Sequence, residues 1–411
     1  MILSIKECED FVENLLLIMY DYSLHTIYDF QNENYDETFL KNLDDYVNEI
    51  IGMIDNVNEE TLYKYREMFE PLVNYAIDVY YEICIPPRSY KNTFHTKGDK
   101  TLLKQLIEFL RKIPQPEQRS EEWYKLRNNL ITASNAYKIF GSDSSKNQLI
   151  YEKCLAYNQK LSIVREEESF KNINTENTLH WGQKFEHVSV LIYENLYNTK
   201  IEEFGCIKHP RYDFIGASPD GINVDETSKI YGRLLEIKNI VNREINGIPK
   251  TEYWVQMQLQ MEVCNLEECD FLETKFKEYE NEQSFLKDGN FNCSCEKIDK
   301  GIIMYFSQKN GTPKYIYKPL TMEHEEFINW ELEMMNVHSD LIWIRNIYWK
   351  LEEFSCVLVL RNKLWFDCVI YDIRDFWKTI VHERENGFEH RKAKKRTKTS
   401  IDEEMKCLIK I

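Results

Sequence analysis

The sequence predicts an α+β (α/β) protein: a small mixed β-sheet flanked by helices, with helical extensions at both ends. Three observations carry this reading. Apolar residues recur at three- and four-residue steps through 1–112. Helical segments alternate with short β-rich runs between 113 and 320. Helical spacing then returns beyond 321.

In the first region, Phe39, Leu43, Val47, Ile50 and Ile54 share a helical face. Leu62, Tyr65, Phe69, Leu72, Ala76 and Val79 share another, and Leu103, Leu106 and Leu110 mark a shorter helix. These stripes predict a helical N-terminal domain over 1–112 that serves as scaffold, since no chemical constellation sits among them. Pro114 and Pro116 break the pattern and predict a linker. Within 113–320, helices are expected around 121–139, 184–196 and 251–264. Strands are expected over 203–208, 213–217, 233–240, 270–276, 301–306 and 314–318. A long helix over 323–346 and a last helix over 375–384 make 321–390 a mostly helical extension. The runs at 357–360 and 365–366 read equally as strand or helix. The tail 391–411 opens with six Lys or Arg among the eight residues 391–398. It is expected to be flexible, as an electrostatic DNA-binding arm, a nuclear-localisation signal or a passive solvated tail.

Composition narrows the function classes. The 411 residues are 43% hydrophobic and 13% aromatic, ample for sizeable cores. Lys and Arg number 52 against 69 Asp and Glu, a formal charge of −17, which excludes a general polybasic coat. Any nucleic-acid binding must come from a locally basic groove on an acidic body. No apolar run approaches a membrane span, and Glu7, Glu9, Asp10 and Glu13 precede the apolar run 15–20, the wrong order for a signal peptide. An intracellular, non-secreted protein is expected. The 11 cysteines are an odd number and mostly far apart, which suits reduced thiols; Cys293 and Cys295 are the one close pair. Abundant Asn, Lys, Ile and Tyr fit an AT-rich genome, of a cell or of a large DNA virus. Walker-A loops, G-x-S-x-G elbows and H-E-x-x-H helices do not occur.

The strongest local feature is Ser218-Pro219-Asp220-Gly221 followed by Leu235-Glu236-Ile237-Lys238. On a strand, Glu236 and Lys238 share a face while Leu235 and Ile237 point to the other. Asp220, at a turn, can approach Glu236. Two converging carboxylates make a hard-oxygen site suited to Mg²⁺ or Mn²⁺, and a lysine beside them can orient or help deprotonate a water. That combination suits phosphodiester hydrolysis. A surface hairpin with a Glu–Lys pair is the competing reading of the same pattern. Three further groups add to it. Glu186 lies early in an amphipathic helix after Trp181-Gly182. Gln256 and Gln260 stand four apart on the helix after Lys238. Trp123-x₃-Arg127-x₄-Thr132-Ala133-Ser134 joins a guanidinium to two hydroxyls, donors that match phosphate oxygens.

The ordered set W-x₃-R-x₄-T-A-S, W-G-x₃-E, S-P-D-G, L-E-x-K and Q-x-Q resembles the phage lambda exonuclease/YqaJ-type viral recombinase family of the PD-(D/E)XK nuclease superfamily. The resemblance covers about 118–275, extending toward 320. It implies a restriction-endonuclease-like core and a Mg²⁺-dependent exonuclease, with Mn²⁺ able to substitute. Such an enzyme degrades duplex DNA from a 5′ end in recombination, repair or degradation. By the same resemblance, Asp220, Glu236 and the Ile237 carbonyl would hold metal, with Glu186 completing or supporting the site. Lys238 would be the catalytic lysine, and Gln256, or Gln258 in its place, the glutamine near the site. Arg127, Ser134 and Thr132 would hold a 5′-phosphate. Duplex DNA ends and a single-strand annealing protein are the partners implied, no membrane is involved, and a homo-oligomer stays open. Asn239 departs from the cysteine common after the lysine. The extensions depart from the compact phage enzymes, so their trimeric ring is not carried over. Two other readings remain: a CRISPR-associated RecB-like nuclease acting on single-stranded ends or flaps, and a catalytically dead DNA-binding or recombination scaffold.

Overall fold

A computed structural model describes residues 4–53, 59–91, 98–116, 120–159, 175 and 177–393. Four helices come first: α1 (Ile5–His25), α2 (Tyr35–Gly52), α3 (Glu59–Ile83) and α4 (Lys100–Lys112). The starts of α1 and α4 have local causes. Ser4 and Glu7 form a capping box at the start of α1, and the Asp99 carboxylate accepts from the Thr101 and Leu102 amides at the start of α4. Next come α5 (Glu121–Asn128), β1 (Ile131–Thr132), α6 (Ala133–Ala136), α7 (Asp143–Gln159) and α8 (Thr178–Tyr197). The helical stretch expected around 121–139 is interrupted: Ile131 and Thr132 pair with Ile215 and Gly216 as a short parallel strand.

The sheet region follows, with β2 (Ile201–Glu202), β3 (Ile207–Lys208), β4 (Ile215–Ala217), β5 (Gly221–Asn223) and β6 (Leu234–Asn239). Then come α9 (Thr251–Cys264), β7 (Glu268–Glu278), α10 (Glu282–Lys287), β8 (Lys300–Ser307) and β9 (Pro313–Tyr317). The chain continues through α11 (His324–Val337), β10 (Ile342–Leu360) and α12 (Lys363–Asn386). The main sheet has the order β2-β5-β6-β7-β10-β8-β9, and β1, β4 and β3 form a smaller one. It is a mixed sheet: β6 and β7 are parallel, while β10 runs antiparallel to both β7 and β8.

Two expectations are corrected beyond 320. The helix expected over 323–346 ends at Val337, where the polar run His338, Ser339, Asp340 turns the chain into β10. The segment 321–390 also gives the sheet one of its inner strands. Burial in β10 alternates through Ile347, Trp349 and Leu351, the two-residue period of a strand. The ambiguous runs resolve as strand at 357–360 and helix at 365–366. Most of the basic tail lies outside the described residues. Its first residue, Arg391, is ion-paired to Glu383 of α12.

One core runs from Leu15 and Phe39 of the N-terminal helices through Trp254 and Met257 of α9 to Val359 and Trp365. Trp254 Nε1 donates to the Arg88 carbonyl at 2.9 Å and Thr251 Oγ1 to the Gln31 carbonyl at 2.9 Å, so α9 lies between the helical bundle and the sheet. On the other face, Val190 and Tyr193 of α8 pack against Leu235, Ile237 and Leu272. No described helix is long and apolar enough to cross a membrane.

Candidate active site

The register of β5 and β6 builds the carboxylate pair. Gly221 pairs with Leu235 and Ile222 with Leu234, so one more step sets Asp220 across from Glu236. Gly221 is required here: a Cβ at this position would stand 2.1 Å from Ile201 Cγ2 on the next strand. The ladder stops at Asp220, whose Oδ2 accepts the Ile237 amide at 2.7 Å. A residue's N–H and C=O leave a strand on the same edge, so the Ile237 carbonyl lies on the Asp220 side.

Leu235 and Ile237 face α8, and Glu236 and Lys238 face α9. Both faces of β6 are covered, and Glu236 is 0% exposed. Its carboxylate accepts from three side-chain donors: Lys238 Nζ and Gln256 Nε2 (2.8 Å) on Oε1, and Gln260 Nε2 (2.7 Å) on Oε2. The competing reading, a solvent-facing hairpin pair, does not describe this geometry. Lys238 also lies over the Tyr253 ring, 4.9 Å from its centroid.

Burial, then the nearby charges of Glu236 and Glu186, push the Asp220 carboxyl well above its ordinary range; Lys238 and the Ile237 amide pull the other way. Burial alone would lower the Lys238 ammonium. Glu236 and Asp220 outweigh it and hold the lysine above its ordinary value. Glu186 reaches this field from α8, on the opposite face of the sheet.

The donor set suits a hard divalent cation. Burial, Glu236 and Glu186 disfavour a charge on Asp220, a penalty that a bound cation would relieve, and the Ile237 carbonyl is on the same edge. Among the described residues, no group of three His, Cys, Asp or Glu forms a ready metal cluster. Mg²⁺ is compatible with that, because it commonly takes one or two carboxylates and completes its shell with water and phosphate oxygens.

A second cluster adjoins the first. Ser120 caps α5 by accepting the Trp123 amide, and Arg127 stands in its last turn. The Arg127 guanidinium lies over Trp123, 4.4 Å from the ring centroid. It donates to Ser134 Oγ at 3.3 Å and to Ser218 Oγ at 3.4 Å. Burial lowers its pKa. Thr132 Oγ1 is 3.3 Å from Ser134 Oγ, but the threonine is buried and belongs to the capping box of α6. Ser218 stands two residues before Asp220, so the S-P-D-G turn joins the two clusters.

The structure thus gathers Asp220, Glu236, Lys238 and Gln256, with Glu186 within electrostatic reach, and separately gathers Arg127, Thr132 and Ser134. Gln258 is excluded: its Nε2 donates to the Leu360 carbonyl at 3.0 Å and its Oε1 accepts the Asn362 amide at 2.7 Å. Gln260 takes a place beside Gln256 that the Q-x-Q spacing did not assign. It is 0% exposed, and its Oε1 is a buried acceptor without a protein partner among the described residues. Ser218 was legible only as part of the turn motif, and its hydroxyl bond to Arg127 depends on the fold.

The chain is 31% identical over 355 residues to an uncharacterized protein of Acanthamoeba polyphaga mimivirus, covering 78% of this chain and 60% of that relative. The chain thus spans about three fifths of the relative's length. Among solved structures, an alkaline exonuclease from Laribacter hongkongensis is 18% identical with a TM-score of 0.37, covering 66% of this chain and 95% of that one. A phage-related exonuclease from Haemophilus somnus is 10% identical with a TM-score of 0.29, covering 71% and 97%. At such TM-scores neither likeness bears on the site. The family model for the YqaJ-like viral recombinase domain matches residues 122–267, the stretch that holds both clusters from Trp123 to Gln260. Over that stretch the chain is similar to the YqaJ-like viral recombinase domain.

Proposed function

We propose that this protein is a Mg²⁺-dependent DNA exonuclease that hydrolyses duplex DNA from its 5′ ends, in recombination, repair or degradation. The observation that carries the reading is the Ser218 bridge. It sets an Arg–hydroxyl pocket suited to a terminal phosphate against a carboxylate–lysine cluster suited to phosphodiester hydrolysis.

Asp220, Glu236 and the Ile237 carbonyl are the groups that would hold Mg²⁺, with Glu186 supporting them. Bound there, the cation would supply an activated water and neutralise charge on the transferring phosphate. The chain's own residues do the rest. Arg127 and Ser134 take the 5′-terminal phosphate and so fix which phosphodiester reaches Asp220. Lys238, kept charged by its carboxylate neighbours, stabilises charge on the attacked phosphate. Gln256 and Gln260 hold both oxygens of Glu236 and so fix its orientation. The acidic body repels DNA elsewhere, which favours engagement at the anchored end.

The test is digestion of linear and covalently closed duplex DNA, with Mg²⁺ and with chelator. The reading expects Mg²⁺-dependent release of nucleotides from linear DNA only. Cleavage of closed circles at a similar rate, or digestion in chelator, would contradict it.

A further inference from the structure

Outside the two clusters, the feature that bears furthest on function is the carbonyl end of α5. Two cations from distant parts of the chain close it. Lys153 of α7 donates to the Arg127 carbonyl at 2.7 Å. Arg384 of α12 donates to the Asn128 carbonyl at 2.7 Å, to the Lys153 carbonyl at 3.2 Å and to Asn129 Oδ1 at 3.4 Å. The Arg384 guanidinium also lies over Trp377, 5.1 Å from the ring centroid, which fixes it against its own helix.

Cations are favourable at a helix C-terminus, where carbonyls lack intrahelical donors. The cost here is nonetheless considerable. Lys153 is 7% exposed, and burial with the neighbouring charges of Arg127 and Arg384 pushes its ammonium down to about 7. Among the described residues, neither Arg127 nor Lys153 is ion-paired to a carboxylate. A protein of formal charge −17 thus concentrates three cationic side chains at one turn. An anion bound at Arg127 would offset that repulsion. At only eight residues, α5 is too short to be stable alone, so the direction of the Arg127 side chain depends on what holds the helix ends.

We propose that Arg384, on a helix beyond the family domain, is a positioning residue for DNA-end recognition. Together with Lys153 it fixes the last turn of α5, aims Arg127 at Ser134 and Ser218, and adds positive charge behind the phosphate pocket. This rests on the reading of that pocket as a terminal-phosphate anchor. It makes the C-terminal helix part of the substrate-recognition apparatus rather than an accessory.

The experiment compares full-length wild type, Arg384→Ala, Arg384→Lys and Arg127→Ala. KM and kcat are measured in Mg²⁺ on duplexes with 5′-phosphate or 5′-hydroxyl ends, and melting temperatures alongside. Arg384→Ala is expected to raise KM for phosphorylated ends by about five- to tenfold, the scale of one partly buried charge. Its kcat and its rate on hydroxyl ends should hold. Arg384→Lys should recover part of the loss, because it keeps the charge and can still cap one carbonyl. An unchanged phosphate preference in folded Arg384→Ala, or an equal loss on both ends, overturns the proposal. If Arg384→Ala does not fold, Arg384→Lys decides: a KM raised only for phosphorylated ends supports the role, and a wild-type KM overturns it. Wild type indifferent to the 5′-phosphate, with Arg127→Ala indistinguishable from it, would remove the anchor itself and the proposal with it.

Discussion

Around Asp220 and Glu236 the chain concentrates negative charge and meets it with donors: one ammonium, two side-chain amides and a backbone N–H. Around Arg127 it concentrates positive charge and meets it with neutral oxygens from serine hydroxyls and helix-end carbonyls. The two clusters meet at the S-P-D-G turn. Each is left with unbalanced charge, of opposite sign to the other. The arrangement suits a ligand that brings a cation to one side and a terminal phosphate to the other. The difference also separates their failures: damage to the first should stop the chemistry, and damage to the second should misplace the end.

The largest effect is expected at Asp220. Asp220→Asn should lower Mg²⁺-dependent digestion by at least about 10²-fold, the scale of a lost electrostatic catalytic group. Without metal the folded protein should melt no lower than wild type, because the substitution removes a charge that burial, Glu236 and Glu186 disfavour. Added Mg²⁺ should then raise the melting temperature of wild type more than that of the variant. Near-wild-type digestion by Asp220→Asn would remove the carboxylate side of the comparison.

Lys238→Ala should lower kcat by about 10²-fold with little change in affinity for DNA ends, measured in Ca²⁺. A loss confined to affinity would move Lys238 to the phosphate-binding side. Gln260→Met should cost roughly tenfold in activity, the lower end for a residue that orients a metal-binding group. End affinity should hold. Activity equal to wild type would mean that Gln256 alone orients Glu236.

The smallest effect is on stability and belongs to the cationic side. The Lys153 ammonium titrates at about 7 in the folded protein against an ordinary 10.5. Between those values the unfolded chain binds more protons, so this group makes stability rise as pH increases from about 7 toward 10.5. Urea midpoints at pH 7, 8 and 9 should rise less steeply in Lys153→Met than in wild type. Parallel profiles would show that Lys153 is not held in a destabilising charged state at neutral pH.

The carboxylate cluster was the more legible of the two because its parts are close in sequence. Asp220, Glu236 and Lys238 lie on a single hairpin, where a two-residue period decides which side chains share a face. Gln260 was harder to place. Burial in α9 includes Trp254, Val255, Met257, Leu259, Met261, Val263 and Cys264, so the helix has no solvated face, and Gln256 and Gln260 both lie against Glu236. The Arg127 pocket was legible only in its local part. Lys153 and Arg384 stand 26 and 257 positions beyond Arg127, on helices whose spacing gives no sign that they meet α5. The strand β10 was missed in its first half because Ile342 continues the apolar run of α11. The alternation of Ile347, Trp349 and Leu351 was the available signal.

The most direct test of the joint account is single-turnover digestion in Mg²⁺ of duplexes labelled separately on each strand, with 5′-phosphate or 5′-hydroxyl ends. The account predicts that shortening begins at the 5′ end. It also predicts that a 5′-phosphate speeds digestion by roughly tenfold, the worth of a charge-assisted contact of about 1.4 kcal/mol. Arg127→Ala should erase that advantage. Digestion that begins at the 3′ end, or equal wild-type rates on phosphate and hydroxyl ends, would contradict it.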